Sequence, residues 1–368
     1  MVVVPGTAPP EPRLEVASAG NGSRMPSLRH SSDREPGYTR RRHGKGWRYL
    51  DTDGRPVTDP RLRARFEALV IPPAWTDVWI CKSSRGHLQA TGTDAAGRRQ
   101  YLYHPKWHEQ RQVEKYERIL RFADGLPHLR RVTAGHLRRK RLDREKAMAA
   151  AVRLLDRTNI RLGGESYAKQ NGTYGLATLR SKHLEVDGDT LVLDFTGKGG
   201  IDHHAEVTDA RLARVVAEMD ELPGYEVFKY IDEDGEVVDV RSGDVNAYIK
   251  EVMGEDFSAK DFRTWAGTVA AAVALSEVGP IDGAKDRQRA VSRVCKIAAQ
   301  LLGNTPAVSR SSYIDPRVID HFLDGTTIAS IAGEVESRMT SSAGGHSSEE
   351  LAVLALLRRG LEDRRAAA

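Results

Sequence analysis

Two parts of the chain carry the short alternation of apolar and polar residues that is typical of β-strands. The first part lies within residues 36–105 and predicts a small, mainly β domain. Its strand-like runs are 77–81, 87–92 and 98–104, with a turn at Asp53-Gly54 and a short helix from about Asp59 to Leu69.

The second strand-like part begins at His183 and predicts a three-stranded hairpin region. Leu184 and Val186 alternate with polar residues before an Asp187-Gly188 turn, and the alternation resumes from Leu191 to Phe195. A glycine-rich tip, 196–200, then presents Lys198, and a third strand is expected from Ile201.

Helical periodicity dominates the rest of residues 106–340. The predicted helices are 112–122, 144–155, 245–253, 258–276 and 290–302, with a hairpin near 232–235. Residues 341–368 predict a Ser/Gly-rich linker and a last amphipathic helix, 349–364, whereas the Pro/Gly/Ser-rich residues 1–35 predict a disordered tail. The predicted fold class is therefore α+β, with a small β domain before a larger, mainly helical one.

The segment after the 290–302 helix carries the residue of greatest chemical interest. Val291, Val294, Ile297, Ala298 and Leu301 recur at one-face spacing, and Gly303 is expected to end the helix. A short polar segment should follow, with the amide of Asn304 and the phenol of Tyr313. A phenol can act as a covalent nucleophile, although an isolated tyrosine after a loop usually packs or caps.

Composition excludes several function classes. The chain has two cysteines, Cys81 and Cys295, without further Cys or His at ligand spacing, so neither a zinc site nor a disulfide scaffold is expected, and a reducing cytosol fits. No apolar run reaches the length of a membrane span. Around Lys198 the glycine and Ser/Thr of a phosphate-binding P-loop are missing, so ATP dependence is not expected.

The overall charge does not indicate a polyanionic partner, because 56 Lys and Arg against 51 Asp and Glu leave a net charge of just +5. Only local clusters of basic residues suggest such a partner. Basic runs at 130–131 and 138–141 fall where the β domain passes into the helical one; they suit DNA, but such runs are usually a solvated face. On the strand 98–104, Arg99, Tyr101 and Tyr103 should share one face, which equally suits phosphate contacts or a half-buried aromatic strand.

Five polar residues at breaks between predicted elements form a candidate constellation: Arg161, Lys198, Arg263, Asn304 and Tyr313. Two guanidiniums and an amide can hold the oxygens of a phosphodiester, where charge develops as phosphorus becomes five-coordinate. A lysine on a hairpin can protonate a leaving alkoxide, and tyrosine can supply the nucleophile. Such a set transfers a phosphoryl group without a metal or another cofactor, and no carboxylate cluster for two-metal catalysis is evident. Spacing alone does not bring the five together.

Several motifs resemble the type IB DNA topoisomerases of the small bacterial and poxvirus-like kind. The resemblance runs from about Gly37 to Arg317. Its most specific pieces are Ile71-Pro72-Pro73-Ala74-Trp75, Gly97 to His104, Tyr174 to Leu179, Phe195-Thr196-Gly197-Lys198, Lys260-Asp261-Phe262-Arg263-Thr264 and the segment Asn304 to Tyr313.

The resemblance implies a role for each candidate. Arg161, Arg263 and Asn304 would bind the phosphate, Lys198 would protonate the 5′-hydroxyl leaving group, and Tyr313 would form a 3′-phosphotyrosyl bond. The family's DNA-contacting positions match Gln100, Tyr101, Tyr103 and Tyr167, with Lys260 in the matching motif. The two domains would form a clamp around duplex DNA, and a monomer would relax supercoils by strand rotation and religation without ATP.

Two departures from the poxvirus pattern affect the expected chemistry. Asn304 stands where a histidine is usual, and its amide can donate a hydrogen bond but cannot titrate, so the proton chemistry should depend on Lys198. Gly164 and Ser166 stand where poxvirus enzymes carry lysines, so the DNA contacts of those lysines are not expected here. The acidic region 217–240 is expected to lie away from DNA, and the clamp is expected to be open without DNA.

Two rival functions remain open. A tyrosine site-specific recombinase shares the Arg–Lys–Arg–His–Tyr arrangement, but it usually has His-x-x-Arg where this chain has Lys260-x-x-Arg263, and its DNA-binding arm is normally helical. A non-catalytic nucleoid protein would use the basic and aromatic residues only to hold the DNA backbone.

Overall fold

The structure is a computed structural model that describes residues 28–331 and 345–366. It comprises two compact units, Met1–Gln112 and Val113–Ala368. The first is strand-rich and the second is mainly helical, so the α+β class is confirmed. The predicted tail lies outside the described residues up to residue 27. Residues 28–35, which were predicted to belong to that tail, are instead part of the folded first unit, where Ser31 is buried and donates through Oγ to the carbonyl of Leu88 at 3.0 Å.

The first unit contains one antiparallel sheet in the order β2-β1-β3-β4-β5. Its elements are β1 (Tyr38–His43), β2 (Gly46–Leu50), α1 (Pro60–Ala68), β3 (Thr76–Ile80), β4 (Leu88–Thr93) and β5 (Arg99–Tyr103). Helix α1 begins at the predicted place because Asp59 caps it, accepting a hydrogen bond from the Arg61 amide at 2.8 Å. Phe66 of α1 is fully buried against Tyr49 and Tyr38 and so joins the helix to the sheet.

The hairpin of β1 and β2 was not predicted. Its turn lies at Gly44, whose φ of 57° suits glycine, while the expected turn at Asp53-Gly54 follows β2. The predicted face of β5 is confirmed for its aromatic residues, because the Tyr101 and Tyr103 rings stack with centroids 6.2 Å apart.

The second unit encloses the larger hydrophobic core. Its helices are α2 (Pro105–His136, which begins in the first unit), α3 (Arg144–Thr158), α4 (Glu165–Asn171), α5 (Ala210–Asp220), α6 (Ser242–Met253), α7 (Ala259–Val278), α8 (Ala284–Leu302), α9 (Pro306–Ser312), α10 (Pro316–Leu323) and α11 (Ser348–Ala366). Its strands are β6 (Leu184–Asp187), β7 (Thr190–Gly197), β8 (Ile201–Thr208), β9 (Lys229–Ile231) and β10 (Val237–Asp239). None of the helices that the structure describes is long and apolar enough to span a bilayer.

Helix α2 is much longer than the predicted 112–122 and absorbs part of the expected basic run. Within it, Arg130 donates to Asp156 at 2.8 Å and to Glu350 at 2.7 Å, and its side chain is only 27% exposed. Arg139 pairs with Asp143 at 2.7 Å. Of the two interpretations of the basic runs, a DNA-facing surface does not apply to Arg130, because its charge is neutralised within the fold.

The predicted three-stranded hairpin region is confirmed. β7 pairs with β6 on one side and with β8 on the other, and Leu191, Leu193 and Phe195 of β7 face the core. Lys198 lies at the β7–β8 tip, beside Gly199 and Gly200, whose φ values of 82° and 74° form the turn. The predicted hairpin near 232–235 also forms, between β9 and β10.

Helix α8 ends at Leu302, and Gly303 ends it with a φ of 57°, as predicted. The predicted apolar face is partly wrong, because Ile297 and Leu301 are exposed while Cys295 and Leu302 are buried. The polar segment that follows Gly303 is mostly helical. Thr305 accepts a hydrogen bond from the Val308 amide and caps the short helix α9.

The predicted C-terminal helix is confirmed as α11, and part of its Ser/Gly-rich linker lies outside the described residues. Glu350 docks the helix: its carboxylate accepts hydrogen bonds from Arg130 at 2.7 Å and from Trp265 Nε1 at 3.0 Å. The C-terminal helix thus belongs to the packing of the second unit.

Candidate active site

Arg161 lies in the loop that follows α3. Asn159 ends α3 in the left-handed conformation, with a φ of 55°, and turns the chain toward α8. The Arg161 Nη2 then donates to the Gly303 carbonyl at 2.9 Å and to Asn304 Oδ1 at 2.5 Å. Two of the five candidates are therefore in direct contact, although 143 residues separate them in sequence.

Arg263 is held by backbone carbonyls on either side of the same site. It lies near the start of α7, is 4% exposed, and donates to the carbonyls of Asn159 and of Leu302, the latter at 2.6 Å. Burial, and then the nearby charge of Arg161, lower the pKa of Arg263 to about 10, so it stays protonated near neutral pH. The guanidinium carbon lies 5.2 Å from the centre of the Tyr313 ring.

The orientation of the Asn304 amide follows from its neighbour. A guanidinium can only donate hydrogen bonds, so the Asn304 atom that Arg161 contacts must be the oxygen. The nitrogen Nδ2 is then left as a donor. A bond from the Asn304 backbone amide to the Ala299 carbonyl at 2.9 Å, together with the turn at Gly303, fixes the residue against the end of α8.

Each of the three predicted phosphate-binding residues leaves one buried donor without a hydrogen-bond partner. Within the described part of the chain these donors are Arg161 Nη1, Arg263 Nε and Asn304 Nδ2. A buried polar atom left unpaired costs about 1–3 kcal/mol. Other described residues, among them Arg65, Arg118 and Ser309, also leave one such atom unpaired. The donors of Arg161, Arg263 and Asn304, however, belong to one site and two of them are cationic, which indicates a site for an anion.

The backbone on either side of Tyr313 is held by side chains of α2 and α7. Lys115 Nζ donates to the Ser312 carbonyl at 2.6 Å and Tyr116 Oη to the Ile314 carbonyl at 2.8 Å. Thr268 Oγ1 donates to the Thr264 carbonyl at 2.8 Å and accepts a hydrogen bond from the Asp315 amide at 3.1 Å. The Ser312 and Ile314 carbonyls are therefore fixed by α2, and the Asp315 amide by α7. The Tyr313 side chain is half-buried, so its ring is placed while part of it stays accessible.

Gly267 allows α7 to approach this segment closely. A Cβ on Gly267 would lie 2.7 Å from the Tyr313 carbonyl oxygen and 3.2 Å from Tyr313 Cβ. Normal contacts begin near 3.4 Å, so any side chain here would displace the tyrosine.

The ionisation of the two α2 residues follows from their burial. Burial, and then the charge of Lys260, lower the pKa of Lys115 to about 8. Burial, and then Asp315, raise the pKa of Tyr116, which keeps its hydroxyl protonated and able to donate.

A cavity of about 340 Å³ joins the candidates. Arg161, Lys198, Arg263 and Tyr313 line it together with Lys260. Lys198 is exposed, and its Nζ lies 6.0 Å from the centre of the Tyr167 ring. With Asn304 bonded to Arg161, all five predicted catalytic residues belong to one site.

The predicted DNA-contacting residues are distributed over both units. Tyr167, on α4, is 50% exposed beside Lys198, and Lys260 is exposed at the first turn of α7. Arg99, Gln100, Tyr101 and Tyr103 belong to β5 of the first unit. Arg99 already pairs with Asp33 at 3.0 Å and Gln100 donates to Asp94 at 2.9 Å, while Tyr101 is 50% exposed.

Sequence reasoning missed the residues that hold Tyr313 in place. Lys115, Tyr116, Gly267 and Thr268 lie within helical patterns whose periodicity only predicts a packed face. The helical glycine offered a signal, because a glycine inside a helix often marks close packing.

Comparisons with known proteins identify the family of this chain. A family model described as the eukaryotic DNA topoisomerase I catalytic core matches residues 104–327, and one described as the bacterial DNA topoisomerase IB N-terminal domain matches residues 46–94. DNA topoisomerase 1B of Acanthamoeba polyphaga mimivirus is 30% identical over 285 residues, which cover 76% of this chain and 85% of the viral protein.

Two poxvirus proteins are more distant relatives. DNA topoisomerase 1B of vaccinia virus (strain Copenhagen) is 24% identical over 75% of this chain and 89% of its own. DNA topoisomerase 1 of rabbit fibroma virus is 25% identical over 68% of this chain and 78% of its own. The extent of the catalytic-core match and the identity to the mimivirus enzyme show that the chain belongs to the type IB DNA topoisomerase family.

Proposed function

We propose that the protein relaxes supercoiled duplex DNA by cutting one strand, letting it rotate, and resealing it through a 3′-phosphotyrosyl intermediate. The observation that carries the proposal is the set of unpaired donors on Arg161, Arg263 and Asn304, at a cavity that Tyr313 lines. A phosphodiester supplies the missing acceptors, and its negative charge is largest in the five-coordinate transition state.

Each candidate then has one role. The Tyr313 oxygen attacks the scissile phosphorus and its phenolic proton passes to water. The bond from phosphorus to the 5′ oxygen breaks, and Lys198 gives a proton to that oxygen. Religation runs the same steps backwards, with the 5′ hydroxyl as nucleophile and its proton returning to Lys198. The covalent link keeps the energy of the phosphodiester bond, so neither ATP nor an obligatory metal is part of the proposal.

The DNA contacts are also part of the proposal. Tyr167 and Lys260 flank the cavity and suit the phosphates next to the scissile one, and Tyr101 and Tyr103 suit sugar and phosphate contacts on the first unit. A clamp that is open without DNA, an acidic region 217–240 away from DNA, monomeric action and a place on the cytoplasmic nucleoid stay predictions.

The test combines relaxation with trapping of the covalent intermediate. Wild-type protein should relax a plasmid that lacks any recombination site, with EDTA present and without ATP, and SDS should trap it on the 3′ phosphate. Tyr313→Phe should bind DNA normally but give neither relaxation nor adduct. Tyr225→Phe removes a hydroxyl from a 79% exposed tyrosine and serves as the matched control, with unchanged activity expected.

Other results would contradict the proposal. A Tyr313→Phe protein that still relaxes DNA would remove the nucleophile from the scheme. Normal DNA binding by the wild type, with no relaxation and no trapped adduct, would favour a non-catalytic DNA-binding protein instead.

A further inference from the structure

One histidine of the hairpin region lies between the two glycines that precede predicted catalytic residues. Phe195 and His203 are paired across β7 and β8, and their rings stack at 5.1 Å with an interplanar angle of 13°. This stacking directs the imidazole toward two glycines. One is Gly197, which precedes Lys198, and the other is Gly303, which precedes Asn304.

The fit of the ring between these glycines is tight. A Cβ on Gly197 would lie 2.6 Å from His203 Cδ2 and 2.7 Å from Nε2. A Cβ on Gly303 would lie 2.5 Å from Cε1 and 2.9 Å from Nε2. Side chains are essentially never found so close, so both positions are limited to glycine while the ring is present.

The His203 ring therefore sets the distance between the Gly197–Lys198 tip and the Gly303–Asn304 turn. Lys198 is at an exposed tip, next to two glycines in left-handed conformations. The Gly303 segment, in contrast, is fixed by Arg161 and by the end of α8. Contact with the fixed segment can restrain the tip from which the lysine extends.

The ring does not line the cavity at which Lys198 and Tyr313 meet. Burial, and then the nearby charges of Arg161 and Arg263, lower the pKa of His203, against a smaller opposite effect of Asp202. A neutral ring near pH 7 suits packing between the two glycines in the vicinity of two cationic residues, and it does not call for His203 to exchange a proton with the substrate.

We propose that His203 is a positioning residue, which holds the Lys198 tip at the correct distance from the Gly303–Asn304 turn by filling the space between Gly197 and Gly303. The proposal deepens the proposed function, because it rests on Lys198 as the acid that protonates the 5′ oxygen. In this proposal His203 determines where Lys198 is placed, and the imidazole itself makes or breaks no bond.

The test compares two DNA substrates that differ only at the bridging 5′ atom of the scissile phosphate, which is oxygen in one and sulfur in the other. A thiolate leaves without protonation, whereas an alkoxide needs an acid. We expect His203→Ala to slow single-turnover cleavage of the oxygen substrate by about 10- to 100-fold, since a small misplacement of a catalytic group has effects of this size. On the sulfur substrate, most of this loss in cleavage rate should disappear for His203→Ala, as it should for Lys198→Ala.

A pair of glycine variants tests the packing itself. Gly197→Ala should slow cleavage of the oxygen substrate in the wild-type background, because its Cβ collides with the imidazole. In the His203→Ala background the same change meets no ring and should have little further effect. Such non-additivity is the signature of direct contact. His204→Ala is the matched control: His204 is exposed and pairs with Asp194 at 2.8 Å, so it should cleave both substrates at the wild-type rate.

The outcomes are distinguishable. Wild-type cleavage by His203→Ala, or additive effects of Gly197→Ala and His203→Ala, would overturn the proposal. Equal losses of His203→Ala on both substrates, with Lys198→Ala relieved by sulfur, would also overturn it and leave the proposed function intact. If sulfur fails to relieve Lys198→Ala, the acid role of Lys198 falls, and the positioning role of His203 falls with it.

Discussion

The contact between Gly267 and the Tyr313 backbone gives a sharp prediction for Gly267→Ala. The new Cβ would lie 2.7 Å from the Tyr313 carbonyl oxygen, so α7 and the tyrosine must separate by about 0.7 Å to reach the 3.4 Å of ordinary contact. The hydrogen bond from the Asp315 amide to Thr268 Oγ1, now 3.1 Å, would lengthen as the two segments separate.

This displacement should affect chemistry more than binding. We expect stability to fall by about 1–3 kcal/mol, as for other overpacked sites, even though alanine favours helix more than glycine does. We expect covalent adduct formation to slow by about 10- to 100-fold, because a nucleophile moved by a large fraction of 1 Å no longer approaches phosphorus in line. The affinity for intact duplex should not change.

The assay is single-turnover cleavage at saturating protein, with urea unfolding and DNA binding measured on the same preparation. Gly135→Ala is the matched control, since Gly135 also lies in a helix and a Cβ there meets nothing within 4 Å. The control should cleave normally and gain up to about 1 kcal/mol of stability. A Gly267→Ala protein that cleaves at the wild-type rate would refute the claim that α7 sets the position of Tyr313.

Further predictions concern ionisation and the C-terminal helix. The pKa of Lys115 is lowered to about 8 in the folded protein, against 10.5 ordinarily, so between these pH values the unfolded chain binds the extra proton and stability rises with pH. The unfolding free energy of wild type relative to Lys115→Met should therefore increase from about pH 8 to pH 10.5, by at most about 1.4 kcal/mol per pH unit, and a flat difference in urea titrations would contradict this. Glu350→Gln should destabilise the protein by about 3 kcal/mol, because it removes one of the two carboxylates that neutralise the partly buried Arg130. Arg358→Ala removes a pair with Asp124 that is about half exposed, and should cost no more than about 1 kcal/mol in the same measurement; equal losses would show that Glu350 does not anchor α11.

The fold could be predicted where the apolar residues of the sequence pattern are also the buried residues of the element. The strands β6 and β7 alternate between apolar and polar residues and were found together with β8, whereas β1 was missed because Arg40 stands at a buried position of that strand. Its Nη1 and Nη2 donate to the carbonyls of Ile71, Pro72 and Trp75, an arrangement that only the folded chain provides. Helix α9 has no apolar stripe, and its one local signal was the Thr305-Pro306 pair of a capped helix start.

The site divides in a similar way. Motifs and residue chemistry identified Arg161, Lys198, Arg263 and Tyr313, and the structure places all four around one cavity. The residues that hold Tyr313 could not be predicted, because their function depends on contacts such as that from Lys115 to Ser312, which are 197 residues apart. Local pattern carries no information at that distance.

The unpaired donors of Arg161, Arg263 and Asn304 also set a limit on how this protein can be improved. In the free protein each donor has lost water without gaining a partner, so the DNA-free site opposes folding. Replacing these residues by apolar ones of similar shape would relieve that cost and remove the anion site at the same time. Selection for thermal stability alone would therefore act against this site, and a thermostable catalyst should be sought by changes elsewhere in the core.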